Sequence, residues 1–561
     1  MAIRWATDRL QKQKPEKEEP EKQGIVAFVT PATWIDGNTE AGVRAILPKE
    51  FSSIYALNLL GNARIYGEDG RYQGEGVFGN ATQSPVAVTI LVKNLKSEHN
   101  VCRIHYREIG GYLKRDEKLK RLSKAMSVKG FSDWQIITSN KHYDWIDQRS
   151  DSFTEFYPLG TKEAKAGNSD DAIFALFSGG YKTGRDPSIY NFSRDVCSKS
   201  AYRMIQDYLA ALSDLEQNSE LTVNEVTIRH NSNIKWDSNL KSNLRQKKKT
   251  EFDDNYIRKV VYRPFVATNC YTDYIFAQRK YQMDRIFPDS SSDNRVICVP
   301  GISSKKSFSA LMTNVMPDVN LNDAGTQCFP RWRYPKPPAA QQITSGYEPK
   351  RIDNISDTAL RAFRKRYPNE TITKDDIFNY VYGILHAPSY REQFANDLSK
   401  MLPHIPYAPD FRAFAEAGVA LTTLHLNYET CNQYPNLKVE PRKQDLFWEE
   451  KPSDFLLGTR AMRFADKNTK DTLIINEHVQ LTGIPEEAHG YVVNGRTPLE
   501  WFINRYKITP PEKNNGILND ANAWFKNPRD LIIAIERIIY VSVESARIIE
   551  GLPSEVVSGI E

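Results

Sequence analysis

The sequence predicts an α/β protein in which a partial doubly wound sheet is followed by a larger mixed α/β region. The first part is indicated by a short continuous apolar run at 25–29, the pattern of a buried strand in a parallel sheet. The second part is indicated by proline, glycine and asparagine residues that interrupt many short apolar runs as far as about residue 345. Because 561 residues exceed what one hydrophobic core usually organises, we expect more than one domain.

The elements at the start of the chain alternate between strands and helices. A short N-terminal helix leads into residues 11–23, which are charged and broken by proline and therefore predict a solvated linker. After the first strand we expect, in order, a helix, a strand, a glycine-rich loop and a strand, at 39–50, 51–60, 61–79 and 86–93. We interpret this order as half of a parallel sheet, whose missing strands leave an exposed edge.

Helical patterns dominate the end of the chain. Residues 111–130 predict a basic helix, and a polar break at 335–350 precedes the later helical stretches. Those stretches are 356–367, 373–400, 411–425 and 529–549. The domain boundaries that we predict are 1–23 for the N-terminal helix and linker, 24–135 for the first α/β domain, and 136–345 and 346–561 for the two parts of the later region.

The composition argues against a secreted or membrane-inserted protein. Six scattered cysteines without a Cys-x-x-Cys pair fit neither a disulfide framework nor a zinc site, so we expect a reducing, cytoplasmic location. No apolar run reaches about 18 residues, and the start of the chain lacks the apolar core of a signal peptide. The net charge of +5, from 75 basic and 70 acidic side chains, is too balanced to indicate a nucleic-acid partner by itself.

Local basic clusters nevertheless favour double-stranded DNA as the partner. The cations suited to phosphates are Arg245, Lys247, Lys248, Lys249, Arg279, Lys280, Lys305 and Lys306. Ser303 and Ser304 follow a glycine closely and allow the DNA backbone to approach. Arg331 and Arg333 offer forked donors suited to guanine edges, or alternatively brace the loop around Trp332. Each cluster alone also fits a solvated face, but the whole set favours DNA.

Other polar residues in the later region fit structural roles better than catalytic ones. Asp318 and Asp323, which lie near two asparagines, could suggest a metal or acid–base site, but loop turns and caps are the favoured interpretation. His386, His425 and His489 occur singly, without the spacing of metal ligands, and we interpret them as structural. We therefore predict no metal site and no catalytic residue in this chain.

Two stretches near the start resemble the middle and late strands of the gamma-type, adenine-specific DNA methyltransferases. They are GIVAFVTPATWIDGN and GEGVFGNATQSPVAVTILVK. The resemblance implies a partial Rossmann-like sheet over 24–135 and a base-stacking role for Phe78, because such enzymes flip the target base out of the duplex and stack it on an aromatic ring. Without the resemblance, ordinary packing is the favoured interpretation of Phe78.

The motifs that this family needs for catalysis are absent from the sequence. There is no glycine-bearing turn for S-adenosylmethionine and no Asn/Asp-Pro-Pro-aromatic tetrapeptide for the target amine, since Pro337-Pro338 and Pro510-Pro511 lie in unsuitable contexts. The opening MAIRWATDRL resembles the helix that follows that tetrapeptide. We therefore expect S-adenosylmethionine to bind only if an upstream half completes the domain, and we expect an upstream methyltransferase/ATPase-nuclease polypeptide as a partner.

Most of the chain, from about 170 to 545, resembles the C-terminal specificity region of type ISP restriction-modification enzymes. The resemblance lies in FSGGYKTGRDPSIYNFSRD, EFDDNYIRKVVYRPF, YQMDRIFP, RVICVPGISSKKSFSALMTNVMPDVNL, DIFNYVYGILHAPSYREQFANDL, DFRAFAEAGVALTTLHLNYE and YVVNGRTPLEWF. It implies sequence-specific recognition of double-stranded DNA, with target-recognition regions at 136–345 and 346–561. Two alternatives stay open, namely half of a split methyltransferase and a non-catalytic interaction scaffold.

Overall fold

The chain divides into two compact units. The structure, a computed structural model, describes residues 2–10, 23–65, 67–97, 101–218, 220–336, 350–443, 448–511 and 516–557. Unit 1 comprises Met1–Glu155 and Phe394–Met401, and unit 2 comprises Phe156–Gln393 and Leu402–Glu561. The predicted linker falls almost wholly outside the described residues, as does Pro337-Pro338.

The described helices, in chain order, are α1 (Ala2–Thr7), α2 (Thr33–Asp36), α3 (Ala41–Glu50), α4 (Gly67–Gln73), α5 (Arg115–Ala125), α6 (Lys162–Lys165), α7 (Asp186–Ile189), α8 (Arg194–Gln217), α9 (Val223–Arg229), α10 (Ser238–Arg245), α11 (Asp357–Arg366), α12 (Lys374–Ile384), α13 (Pro388–Gln393), α14 (Ala395–Lys400), α15 (Phe411–Leu426), α16 (Pro498–Arg505) and α17 (Asp530–Glu550).

The described strands are β1 (Gly24–Pro31), β2 (Ser53–Asn58), β3 (Val86–Lys93), β4 (Arg103–Glu108), β5 (Gln135–Ile137), β6 (Tyr157–Pro158), β7 (Ser178–Gly179), β8 (Tyr190–Asn191), β9 (Ile257–Arg263), β10 (Val266–Tyr271), β11 (Val296–Val299), β12 (Leu311–Thr313), β13 (Met316–Pro317), β14 (Gln327–Pro330), β15 (Trp332–Arg333), β16 (Ile352–Asp353), β17 (His404–Ile405), β18 (Lys438–Pro441), β19 (Arg463–Phe464), β20 (Thr472–Ile474), β21 (Val479–Thr482), β22 (Ile508–Thr509) and β23 (Asn519–Asp520). The mixed α/β class is therefore confirmed.

Unit 1 is built on a five-stranded sheet with the order β1-β3-β2-β4-β5. The expectation of a parallel sheet is wrong for most of its strand pairs. β3 lies between β1 and β2 and is antiparallel to both, so that β1 and β2 run in the same direction without pairing. β2 and β4 are parallel, and β4 and β5 are antiparallel. A continuous apolar run is typical of a buried strand in a parallel sheet, but it does not exclude an antiparallel neighbour, which explains the error.

On one face of this sheet the outer strands β1 and β5 leave large apolar side chains in solvent, while Leu57 and Val88 between them are packed in a core cluster. Along β1 the side chains alternate, with Val26 buried in the core and Ile25 and Val29 exposed by 68% and 58%. Ile136 on β5 belongs to the same face through the strand pairing, and it is also exposed. We call Ile25, Val29 and Ile136 the open face. Among the described residues β1 is an edge strand, as expected.

Helix α14 belongs to unit 1 although it lies far along the sequence. The Lys400 ammonium donates to the carbonyl oxygens of Ile146 and Asp147 at 2.9 and 2.5 Å. The Asp397 carboxylate accepts the Ser150 backbone N–H at 3.0 Å. These bonds satisfy polar groups of the segment that closes unit 1.

Unit 2 contains three four-stranded sheets, β13-β9-β10-β8, β12-β11-β14-β7 and β18-β21-β20-β19, as well as smaller strand pairs. Helices α12 and α15 cross at glycines, since a Cβ on Gly383 or Gly418 would lie 2.1 or 1.9 Å from a carbonyl oxygen of the other helix. The backbones of α12 and α15 therefore pack in direct contact. The first division between units falls at Glu155, and the residues from Phe156 onward belong mostly to one unit rather than to two successive parts.

Two local expectations also differ from the structure. The predicted loop at 61–79 contains helix α4, whose glycines and charges hide any helical periodicity. The predicted helix at 373–400 is three helices, α12, α13 and α14, because Pro388 cannot continue α12 and instead begins α13.

Candidate nucleic-acid interface

Arg245 ends α10, and Lys247, Lys248 and Lys249 follow it on an exposed segment. Lys247 has a left-handed backbone with φ of +52°, which turns the chain at this point. The Tyr208 hydroxyl donates to the Lys248 carbonyl oxygen at 2.8 Å and so holds the backbone of this segment. The Lys248 ammonium donates to the Asn243 side-chain oxygen at 2.9 Å.

Arg279 and Lys280 are exposed on a neighbouring segment. The Asn239 and Asn243 amides of α10 donate to the carbonyl oxygens of Ala277 and Ile275, at 2.8 and 3.0 Å. Side-chain hydrogen bonds from α10 thus hold the residues at 275–277, which shortly precede Arg279 and Lys280. Lys280 also forms an ion pair with Asp284 at 2.6 Å.

The loop at 301–306 is held in one shape by Asp323. Its carboxylate accepts the Ser304 hydroxyl at 3.0 Å and the Lys305 backbone N–H at 2.9 Å. Ser303 adopts a left-handed φ of +74°. Ser303 and Lys305 are exposed, whereas Ser304 is only 6% exposed and its hydroxyl is already bonded, so we do not retain Ser304 as a DNA contact. Asp323 has the capping role that the sequence favoured.

Lys306 lies near three arginines, Arg496, Arg263 and Arg505, that sequence analysis did not select. Its ammonium donates to the Asn494 carbonyl oxygen at 3.4 Å. Burial lowers the pKa of Lys306, and the positive charges of Arg496, Arg263 and Arg505 lower it further, while Asp323 raises it. The sequence signal that could have found Arg496 is the Asn494–Gly495 pair, which is typical of a tight turn.

Arg331 braces the loop around Trp332, which is one of the two roles that the sequence allowed. It is 3% exposed, it forms ion pairs with Asp353 and Asp375, and its guanidinium carbon lies 3.9 Å from the centroid of the Trp332 ring. A guanine edge cannot reach donors that are buried and already bonded, so Arg331 is not retained as a base contact. Arg333 is half-buried and donates to the Asp353 carbonyl oxygen at 3.4 Å.

Asp318 is a buried structural carboxylate. It forms an ion pair with Arg263 at 2.8 Å and accepts the Tyr190 hydroxyl at 2.8 Å. Burial raises the pKa of Asp318 to about 6, against the opposing effect of Arg263. Throughout the described parts of the chain no group of His, Cys, Asp or Glu residues is placed to hold a metal ion.

The histidines that we interpreted as structural lie in packed surroundings. His425 bonds through Nδ1 to the Tyr382 hydroxyl at 2.6 Å and through Nε2 to Ser545 at 3.0 Å, and burial lowers its pKa to about 3. His386 is also buried, with Nδ1 at 2.8 Å from the Tyr382 carbonyl oxygen. His489 is half-buried, with Nε2 at 3.3 Å from the Lys470 carbonyl oxygen.

Phe78, in unit 1, projects from a loop that a buried lysine fixes. The Phe78 side chain is 52% exposed. The ammonium of Lys118, a fully buried residue of α5, donates to the carbonyl oxygens of Gln73 and Glu75, both at 2.8 Å. Sequence analysis missed Lys118, because one lysine of a basic helix looks like any other. The aromatic ring is thus presented to solvent from a loop with a defined backbone.

None of the helices in the described segments is long and apolar enough to span a membrane. All six cysteines are free thiols in the structure.

The chain matches a family model and several solved structures. Residues 172–534 match a family model described as the Type ISP C-terminal specificity domain. No match was found among curated proteins.

Several solved structures are similar over essentially the whole chain. A nuclease-deletion mutant of the Type ISP restriction-modification enzyme LlaGI, in complex with a DNA substrate mimic, is 31% identical with a TM-score of 0.83, and the match covers 100% of this chain and 48% of that one. The ATP-dependent Type ISP enzyme LlaBIII bound to DNA is 30% identical, with a TM-score of 0.84 and coverage of 99% and 34%. A DrdV–DNA complex is 29% identical, with a TM-score of 0.81 and coverage of 99% and 52%.

This chain therefore spans between about a third and a half of the length of the chains it matches. Since the family model matches well over half of its residues, the chain belongs to the Type ISP restriction-modification family and contains its C-terminal specificity domain.

Proposed function

We propose that this chain recognises double-stranded DNA in a sequence-specific manner, as the specificity portion of a Type ISP restriction-modification enzyme. The observation that carries the proposal is the pair of exposed cationic groups at 245–249 and 279–280. They lie next to two segments that are joined by hydrogen bonds from the Asn239 and Asn243 side chains to the Ala277 and Ile275 carbonyl oxygens. Cations on a fixed backbone suit phosphates at fixed spacing. The similar structures of LlaGI, LlaBIII and DrdV, which contain DNA, support it.

The test is the triple variant Lys247→Ala, Lys248→Ala, Lys249→Ala. We expect it to bind all duplexes more weakly, with the slope of log K against log salt reduced by about 0.9 for each phosphate that is no longer neutralised. Fluorescence anisotropy at several salt concentrations measures this slope. The matched control is Arg361→Ala, Lys365→Ala, Arg366→Ala, which removes three exposed charges from α11. Equal slopes in the wild type and the 247–249 variant would remove this segment from the interface.

Base recognition is assigned to Arg333 in the same proposal. Arg333→Ala should lose about 1–3 kcal/mol on a site obtained by selection from random duplexes, and much less on non-specific DNA. An Arg331→Ala variant serves as the comparison, because Arg331 braces the Trp332 loop and its loss should lower stability without changing the ratio of specific to non-specific affinity.

A second candidate function is half of a split, adenine-specific methyltransferase that becomes active only with its upstream part. The open face of unit 1 and the exposed ring of Phe78 favour it. We expect S-adenosylmethionine to bind only when an upstream half completes the domain, because the sequence contains neither the family's glycine-bearing turn for the donor nor its Asn/Asp-Pro-Pro-aromatic tetrapeptide. An upstream methyltransferase/ATPase-nuclease polypeptide would have to supply the donor site.

Methyl transfer to DNA tests this candidate directly. We expect no methylated adenine from the pure chain with S-adenosylmethionine and DNA, and transfer once the upstream polypeptide is added. Phe78→Ala should lower transfer in the mixture, and Phe78→Tyr, which keeps an aromatic face, should retain most of it. Methylation by the chain alone would contradict the need for a second half.

A further inference from the structure

Two segments of unit 2 lie side by side, one that precedes α7 and one between β10 and β11. Lys182 of the first and Arg279 of the second form an antiparallel bridge and exchange two backbone hydrogen bonds, each at 3.0 Å. The side chains of residues that face each other in this way project from the same side, and their Cα atoms lie about 5.5 Å apart. The bridge therefore brings together two cations from distant parts of the sequence.

Two glycines allow the segments to approach so closely. Gly184 has a left-handed φ of +72°, and a Cβ on it would lie 2.9 Å from the Cβ of Gln278. A Cβ on Gly179 would lie 3.0 Å from the ring of Tyr281, which packs over this glycine. A larger residue at either position would push the segments apart, so the bridge between Lys182 and Arg279 depends on both glycines.

Both segments are also held by α10, the helix that ends at Arg245. Arg185, which is 2% exposed, forms an ion pair at 2.6 Å with Asp237, the N-cap residue of α10. The asparagines of the same helix hold the carbonyl oxygens of Ala277 and Ile275. The backbone positions of Lys182 and Arg279 are therefore fixed before any ligand binds, which reduces the entropy that binding would cost.

The charges of Lys182 and Arg279 face each other without a carboxylate between them. Arg279 is exposed and Lys182 is half-buried, and within the described parts of the chain neither side chain forms an ion pair. The acidic residues that follow them closely in sequence bind other groups, since Asp186 accepts two hydroxyl groups and Asp284 pairs with Lys280. Like charges directly opposite each other destabilise a strand pair, so an anion bound between them would offset their repulsion.

We propose that Lys182 and Arg279 together bind one backbone phosphate of double-stranded DNA. The inference rests on the proposed function of DNA recognition and adds Lys182, which sequence analysis did not select because it stands between Tyr181 and Thr183, outside any basic run. The compact lysine charge and the forked arginine donors both suit phosphate oxygens. A phosphate contact of this kind positions the duplex and carries no base preference.

The test measures duplex binding by the double variant Lys182→Gln, Arg279→Gln across salt concentrations. We expect the slope of log K against log salt to become smaller by about 0.9, so that the ratio of affinities at 50 and 200 mM salt falls about three- to fourfold. Each single variant should weaken binding equally for all sequences, and the two losses should not add, since both side chains contact one phosphate. The matched control Arg361→Gln, Lys365→Gln removes an arginine and a lysine on neighbouring turns of α11.

Thermal melting separates a binding defect from a folding defect. Lys182→Gln removes one of two facing like charges and should not lower the melting temperature. If it does, the exposed Arg279→Gln carries the test alone, and unchanged duplex binding by that variant overturns the proposal. Lys182→Arg, which keeps the charge, should retain the wild-type slope.

The failure of this inference is distinct from the failure of the proposed function. If the wild-type chain binds no duplex, the proposed function itself fails. If it binds duplex and the folded double variant keeps the wild-type slope, the contact through Lys182 and Arg279 is overturned. A slope smaller by about 1.8 would assign the two cations to separate phosphates and overturn the shared site. Calorimetric heat with inorganic phosphate that the double variant loses, at unchanged duplex binding, would assign the pair to free phosphate instead of DNA.

Discussion

Unit 1 and unit 2 differ in the side chains that their larger sheets present to solvent. Unit 1 leaves Ile25, Val29 and Ile136 in solvent on its five-stranded sheet. Among the described residues, the strands of the three four-stranded sheets of unit 2 expose no large apolar side chain. Unit 2 also buries polar groups, such as the hydrogen-bonded Tyr382, His425 and Ser545 on three different helices. Apolar side chains that stay exposed beside an edge strand favour association, whereas buried polar groups with satisfied hydrogen bonds specify one packing.

The exposed side chains of the open face bear on the proposal that unit 1 requires an upstream half, and the buried polar groups bear on the stability of unit 2. Both inferences can be tested by changing the stability of one unit at a time.

Breaking the ion pair between Asp318 and Arg263 should have the largest effect. Asp318→Ala leaves a buried guanidinium group without its partner, and we expect a loss of about 3–5 kcal/mol in the free energy of unfolding. Denaturant unfolding measures the loss. The matched control is Asp195→Ala, which removes an exposed pair with Lys199 and should cost less than about 1 kcal/mol. A similar small loss in both variants would show that the pair does not support unit 2.

Acid should destabilise unit 2 through His425. Its pKa is about 3 in the folded protein and about 6.5 when unfolded, so the unfolded chain binds more protons between these values. Stability is therefore lost as the pH falls below about 6.5, with roughly 2–3 kcal/mol lost at pH 4.5. His425→Gln should show a shallower decline than the wild type. His478→Gln, at an exposed histidine, should show an unchanged one, and parallel curves for all three proteins would refute the assignment.

Lys118 should stabilise unit 1 by a smaller amount. Lys118→Met removes the donor for the Gln73 and Glu75 carbonyl oxygens, and we expect a loss of about 1–3 kcal/mol confined to unit 1. Hydrogen exchange followed by mass spectrometry locates the change. Lys120→Met, at an exposed lysine of the same helix, is the control. Faster exchange spread over unit 2 would argue against independent units.

Changes on the open face should alter stability least. Ile25→Thr with Val29→Thr keeps β-branched side chains in β1 and should change the free energy of unfolding by no more than about 0.5 kcal/mol. Light scattering on heating should show less aggregation than in the wild type, because fewer apolar groups lie beside the edge strand. Unchanged aggregation would mean that the open face is not the surface that associates.

Local sequence patterns were sufficient to predict many elements. The strands β1, β2 and β3, the helices α3 and α15 and the end of α17 lie within a few residues of their predicted bounds, since each has a clear apolar period or apolar run. The position of β3 between β1 and β2 could not be predicted, because strand order depends on contacts between distant segments.

The candidate interface also depends on contacts between distant segments, so the sequence predicts it only in part. Lys247–Lys249 can be identified because they are adjacent in sequence. The proximity of Lys306 to Arg496 and Arg505 depends on the fold. The burial of individual arginines could not be predicted from sequence either. Arg331 directly precedes the short strand that contains Arg333, but only Arg331 is fully buried. Side chains two residues apart on extended backbone share a face, so their different burial reflects what packs over each one.

Helix α14 has a consequence for the synthesis of this protein. Residues 1–155 are translated well before Asp397 and Lys400, which bind backbone groups between Ile146 and Ser150. At about 5–20 residues per second, the intervening stretch takes roughly 12–50 s to make. During that interval the nascent N-terminal sheet lacks its last helix while its apolar face is already outside the ribosome. Unit 1 therefore cannot finish folding until much of unit 2 has been translated, and chaperones have time to bind it.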